Sequence, residues 1–260
     1  MEKEIINNQD LAPKKVRYAM LDELRGFLVL CMVVYHGLLS LYQIFGWHEA
    51  IALFDFFTPV EPYFAGAFIV LSGTMCGFSR SNTKRGLLCF AFGIAVSVVT
   101  IVGSKMGFGD IDIYFGILHL LGFSMLFCGA FNFVLKRINK WVGLILSVAL
   151  FIVTYGVPRG YPDFVDLSGI IPLRWYTNGA LFPIGITTDT FYSADYFPIL
   201  PWFFLFLAGY YLYHFHIIEK LKKITMPSRI PPLSFLGRHA LIIYVVHQPL
   251  IYLICMPFTF

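Results

Sequence analysis

Long apolar runs separated by short polar stretches organise this chain, at residues 24–45, 60–78, 86–103, 113–135, 141–157, 198–216 and 235–257. Each approaches the ~20 residues that an α-helix needs to cross a bilayer. The pattern predicts an all-α integral membrane protein, a bundle of about seven transmembrane helices, with 141–157 the shortest. A further apolar stretch, 171–185, is broken by Pro172, Arg174 and Pro183. It predicts a re-entrant or interfacial piece within a long outer loop, 158–197. The first run is too long for the core of a signal peptide, and no small-residue cleavage site follows it, so it is expected to stay as the first span.

Charge sets the expected orientation. With the N-terminus in the cytoplasm and an odd number of spans, 16 of the 19 Lys and Arg fall on or beside the cytoplasmic face, and Lys105, Arg159 and Arg174 fall outside. This follows the positive-inside rule and puts the C-terminus outside, in a multi-pass protein of the cell (cytoplasmic) membrane. Residues 1–20 read as a polar cytoplasmic segment and 21–260 as one transmembrane domain. Only 13% of residues are charged and mean hydropathy is +0.74, whereas soluble domains carry about 25% charged residues. Every Lys/Arg cluster abuts an apolar run, so no nucleic-acid surface is expected. The five cysteines lie in apolar runs without CxxC spacing and read as small buried side chains, with no disulfide or metal site expected. The outer loop mixes carboxylates, Asp195 among them, with Trp175, Tyr176, Tyr192 and Tyr196. That mixture suits a glycan or similar polar acceptor, although an interfacial aromatic belt is the simpler account from composition.

Within the runs, polar residues mark candidate chemistry, because an ionisable group at membrane depth is costly. Arg25 and His36 stand eleven residues apart. That is three helical turns, so they share one face about 16 Å apart. Asp22 precedes Arg25 by one turn and can pair with it. By helical rise, His36 and His247 lie at similar depth, and they share one polar cavity if the first and last helices are neighbours; Tyr244 lies on nearly the same face as His247. His119 enters from the outer end of the fourth run, and His239 sits near the cytoplasmic end of the last beside Arg238. Each of these histidines can equally serve helix packing through a backbone hydrogen bond. Arg25, Arg80, Arg85 and Arg238 can together hold a phosphorylated donor at the cytoplasmic mouth, and topology alone also explains each of them. A retinal-type Lys in the last span, a G-x-S-x-G elbow and an HExxH helix are all missing from the sequence.

Residues 21–36 (LDELRGFLVLCMVVYH) resemble the Arg-x10-His first helix of the acyltransferase-3 family. Four further segments, in order, are similar to bacterial proteins related to the catalytic domain of heparan-α-glucosaminide N-acetyltransferase: 68–73 (FIVLSG), 115–119 (FGILH), 193–202 (SADYFPILPW) and 237–249 (GRHALIIYVVHQP). The resemblance implies a membrane O- or N-acyltransferase. It would move an acetyl or other acyl group from cytoplasmic acetyl-CoA, or another acyl-CoA, to an outer acceptor, with acyl-CoA as co-substrate and no tightly bound cofactor. His36 would be base or nucleophile and Arg25 would orient the donor. Asp22, Arg80, Arg85, Arg238 and His239 would contribute on the donor side, and His119, Asp195, Tyr244 and His247 would line the cavity. In the lysosomal branch Asn stands in the place of His36, and the reactive His lies in the loop after the first span. His48 is the nearest match here, which leaves His36 and His48 both open for the chemical step. The other expected partners are the bilayer and a second copy of the chain in a homodimer. A proton-coupled transporter or flippase and a non-catalytic membrane protein are the alternatives.

Overall fold

The computed structural model describes residues 18–255 apart from 44, 161–163, 168–169, 222, 224 and 225. The charge-based placement of Lys3, Lys14, Lys15, Arg17 and Lys222, residues 161–163 of the long loop and the end of the last run lie outside the described residues. Among the described residues there is no strand. The helices are α1 (Ala19–Gln43), α2 (Glu49–Phe57), α3 (Glu61–Gly77), α4 (Asn82–Lys105), α5 (Ile117–Ala130), α6 (Asn132–Leu135), α7 (Lys140–Thr154), α8 (Ile199–Tyr213), α9 (Ile217–Lys220), α10 (Pro231–Arg238) and α11 (Ala240–Cys255).

The apolar runs mark these helices well but do not map onto seven straight spans. Among the described residues three stretches, Ala19–Tyr42, Asn82–Lys105 and Lys140–Arg159, are long and apolar enough to cross a membrane, and there are up to five if α2–α3 and α10–α11 each count as one bent span. The pairs bend by 52° and 87°. Helices α5 and α8 have 14 and 15 residues. Fourteen residues rise about 21 Å, short of the ~30 Å hydrocarbon core. The stretch 171–185 forms two short 3-10 segments, Leu173–Thr177 and Gly179–Ile184, in the connection between α7 and α8.

Two departures from the predicted runs have identifiable causes. The fourth run does not begin as helix at 113, because its backbone is engaged elsewhere. Ala194 N–H donates to the Asp112 carbonyl (2.8 Å), Phe197 N–H to the Phe115 carbonyl (3.0 Å), and Tyr114 N–H to Ser193 Oγ (3.2 Å). Helix α5 starts only after Gly116, where Ile117 N–H donates to Asp195 Oδ2 (3.1 Å), a side-chain cap supplied from far along the chain. The last run is bent at His239 because α10 is started from α1. Buried Glu23 accepts from Ser228 Oγ–H (2.7 Å), Arg229 N–H (2.7 Å) and Ile230 N–H (2.9 Å). Pro231 then opens the helix at a position where a missing N–H costs nothing. His239 is therefore an exposed corner residue, not part of a continuous last span.

Small residues let the helix backbones approach. A Cβ on Gly26 would overlap the Leu233 carbonyl, and one on Gly237 would overlap the Asp22 carbonyl, so α1 and α10 touch backbone to backbone. The α3–α8 crossing is built the same way at Gly73 and Gly209, where Thr74 Oγ–H donates to the Gly209 carbonyl (3.0 Å). In lipid, where neighbouring tails are as apolar as leucine, such close packing and interhelical hydrogen bonds decide which helices meet. Helices α1 and α11 run parallel. Ser40 Oγ–H donates to Gln248 Oε1 (3.0 Å), Gly37 faces Ile251 and the Phe45 and Tyr252 rings lie 5.6 Å apart. This register sets residue 36 beside residue 247.

Because Gly237 has no room for a side chain, Gly237→Val should destabilise the protein by about 1–3 kcal/mol through overpacking. Thermal unfolding in detergent checks this, and an unchanged midpoint would mean that the α1–α10 crossing is loose.

Candidate functional site

A cavity of about 250 Å³ lies between α1, α3 and α11. Its α1 wall runs from Leu28 to His36, about 12 Å along the axis, and Phe64, Ala65 and Phe68 of α3 face it. At the His36 end the lining becomes polar, with His36, Glu61, Asp195 and Tyr244. An apolar pocket with a few convergent polar groups is the usual form of a small-molecule site.

Asp195, Tyr244 and His36 form a connected set through His247, which stands behind the lining. Tyr244 donates its hydroxyl to Asp195 Oδ2, the same oxygen that caps α5. One turn further along α11, His247 Nδ1 lies 2.6 Å from the Tyr244 carbonyl, and its Nε2 lies 3.2 Å from His36 Nδ1. His36 and His247 thus meet across the α1–α11 seam, with ring centroids 5.2 Å apart. Asp195, Tyr244 and His247 are all buried. Burial raises the carboxyl pKa of Asp195, and the bonds from Tyr244 and Ile117 oppose that shift. Gly116 is required beside it, since a Cβ there would overlap the Asp195 carboxylate.

Other candidates stand elsewhere. His119 is buried in the first turn of α5, with Nδ1 accepting from Gly116 N–H (3.3 Å). Its ring stacks on Phe115 and meets Phe90 edge-on. It does not line the cavity but lies within electrostatic range of Asp195. His48 does not line it either; it stands exposed just before α2, edge-on to Tyr42. Arg25 sits one turn below Leu28, within electrostatic range of Arg85 and Asp22. Arg80, Arg85, Arg238 and His239 are exposed. Arg238 Nε–H donates to the Ser234 carbonyl (3.3 Å) and His239 Nδ1 lies 2.9 Å from the Phe235 carbonyl. Both stay with their own helix turn, apart from the cavity. Among the described residues no cluster of three or more His, Cys, Asp or Glu side chains could hold a metal ion.

Glu61, the first residue of α3, also lines the cavity without standing out in the sequence. Nothing in the sequence distinguishes it, because an acidic first residue is ordinary dipole complementarity at a helix start. A second groove, of about 600 Å³, is lined by Asp110, Asp112, Tyr114, Phe182, Thr188, Thr190, Phe191 and Tyr192. Tyr114 Oη–H donates to Asp112 Oδ2 (3.2 Å), while Asp112 Oδ1 is buried with no donor among the described residues.

The Asp195 geometry predicts a pH effect with a definite sign. A carboxyl whose folded pKa is raised holds its proton better in the folded state, so its stability contribution is complete below the ordinary Asp value (~3.9) and is lost as pH rises through the folded value. Asp195→Asn carries no such titration and should gain stability relative to the parent protein as pH rises through that window. Melting curves of both proteins across pH check it, and a pH-independent difference would contradict the burial of Asp195.

A family model described as heparan-alpha-glucosaminide N-acetyltransferase, catalytic, matches residues 17–249. No curated protein and no solved structure matches the chain.

Proposed function

Because the chain belongs to the heparan-α-glucosaminide N-acetyltransferase catalytic family, we propose that it is an integral-membrane acyltransferase of the cell membrane. It moves an acetyl or other acyl group from cytoplasmic acyl-CoA to a glycan or similar polar acceptor on the outer side. The observation that carries this reading is the cavity, which joins a polar His36 end to an α1 wall whose other end lies one turn from Arg25. The family and the apolar helices support a membrane protein with acetyltransferase-type activity.

The proposed path has two ends. At the cytoplasmic end Arg25, held near Asp22 and Arg85, receives the phosphates of the donor, and the pantetheine arm runs along the apolar wall toward His36. Charge-assisted bonds from guanidinium to phosphate are among the strongest available there. At the other end His36 takes the proton of the attacking hydroxyl or amine, in a site that excludes water by its apolar lining. The outer groove, with its aromatic faces, carboxylates and hydroxyls, supports acceptor docking nearby. The parallel run of α1 and α11 supports an odd number of crossings between the membrane faces, and the distribution of Lys and Arg supports a cytoplasmic N-terminus, and so an outer C-terminus, on a multi-pass chain.

His36→Ala should abolish acetyl transfer from acetyl-CoA to glucosamine in proteoliposomes while leaving acetyl-CoA stabilisation of the purified protein intact. His48→Ala should retain activity within about threefold, well short of the ~100-fold or greater loss expected for a general base. Full activity in the His36 variant, or loss confined to the His48 variant, would move the chemical step to the loop. Asp112→Asn should raise the KM for the acceptor with little change in the KM for acetyl-CoA, and equal KM values for parent and variant would remove the groove from the acceptor path.

A further inference from the structure

We propose that His247 is a positioning residue that holds His36 in the tautomer with its proton on Nδ1, so that Nε2 of His36 is the reacting atom. This deepens the acyl-transfer reading and rests on it for the chemical step alone, since the tautomer follows from hydrogen bonding.

The argument begins at a group that can only accept. The Tyr244 carbonyl has no proton to give, so the 2.6 Å contact with His247 Nδ1 requires the proton on that nitrogen. A neutral His247 then has its lone pair on Nε2. That nitrogen faces His36 Nδ1 at 3.2 Å, and a hydrogen bond there requires His36 to donate Nδ1–H. A neutral His36 is left with its lone pair on Nε2. Two ring nitrogens are committed by the first contact, and the second contact fixes the other two.

The carbonyl that starts this sequence is itself held. Tyr244 sits one turn before His247, and its hydroxyl is bound to Asp195, which also takes Ile117 N–H at the start of α5. The Ser40–Gln248 bond (3.0 Å) adds a second rung one turn along α1 and fixes the rotation of α11 against α1. The imidazole of His36 is thereby oriented through its own partner, as outer hydrogen bonds orient and fix the tautomer of functional histidines elsewhere.

The step that uses this atom balances as follows. The Nε2 lone pair of His36 takes the proton of the acceptor hydroxyl or amine as the oxygen or nitrogen bonds to the thioester carbonyl carbon. The carbon–sulfur bond breaks, its electron pair leaves with the sulfur, and the proton passes from His36 Nε2 to that sulfur, giving the free thiol. His36 Nδ1–H stays bonded to His247 throughout, and that bond strengthens while His36 is cationic.

The test is two-part. Histidine-selective 15N labelling of the full-length protein in detergent, with the His36 signals assigned by difference from His36→Ala, should show a protonated Nδ1 and an unprotonated Nε2. In His247→Leu the two tautomers should become mixed. In parallel, His247→Leu should lower kcat for acetyl transfer to glucosamine at least tenfold with the KM for acetyl-CoA within twofold. His247→Gln places an amide oxygen near the former Nε2 and should recover most of that loss. A parent protein with the His36 proton on Nε2 would overturn the assignment, as would an unchanged kcat in a folded His247→Leu. A correct tautomer in a protein that transfers no acetyl group would support the assignment while overturning the acyltransferase reading, so the two fail separately.

Discussion

The contact between His36 and His247 is the constraint around which this helix bundle is arranged. Apolar helices in lipid are nearly interchangeable, because a leucine side chain gains little by leaving an acyl tail for another helix. A ring nitrogen without a partner there costs several kcal/mol, so each histidine makes one particular neighbour strongly preferable. The pair brings the first and last helices together in parallel, and Ser40 with Gln248 repeats the contact one turn on. The glycine crossing at Gly26 and Gly237 then clamps α10 against the base of α1. Space remains on the third side of α1, toward Phe64, Ala65 and Phe68, and that space is the cavity.

Carboxylates do comparable work at both ends. Glu23 takes three hydrogen bonds from residues 228–230, so the cost of drawing its carboxylate against the protein is offset by bonds to a charged acceptor. Its effect is directional: it starts α10 at a point that leaves the last apolar run bent by 87°. Asp195 performs the equivalent task on the other side, capping α5 and anchoring Tyr244. Two acids far apart in the chain therefore determine where helices begin, and in doing so they aim the residues of the cavity.

Hydrophobic runs made the helices and the depth of His36 and His247 legible, because helical rise depends only on counting residues. The bend at His239 was hidden, since its cause is a carboxylate some 200 residues away, and an apolar run has the same composition straight or bent. The late start of α5 was hidden for the same reason: residues 112–115 pair with 194–197 across the chain. Glu61 and Asp112 were visible as acids but not as lining residues, because which way a carboxylate at a helix start or in a loop faces is settled by packing. Arg238 and His239 drew attention by motif and charge, yet their nearest partners are carbonyls of their own turn.

His36 and His48 differ in what surrounds them, and that difference bears on the proposed chemistry. A general base needs access to the reacting atoms and a fixed proton on its other nitrogen. His36 lines the cavity and has His247 opposite its Nδ1. His48 is exposed on the approach to α2, with an aromatic edge as its ring contact. Where the lysosomal branch carries Asn in place of His36, that amide can still bridge two helices by hydrogen bonds, but it has no basic nitrogen to offer. A histidine at that position, paired with a second one, keeps the bridge and adds a basic ring nitrogen on α1.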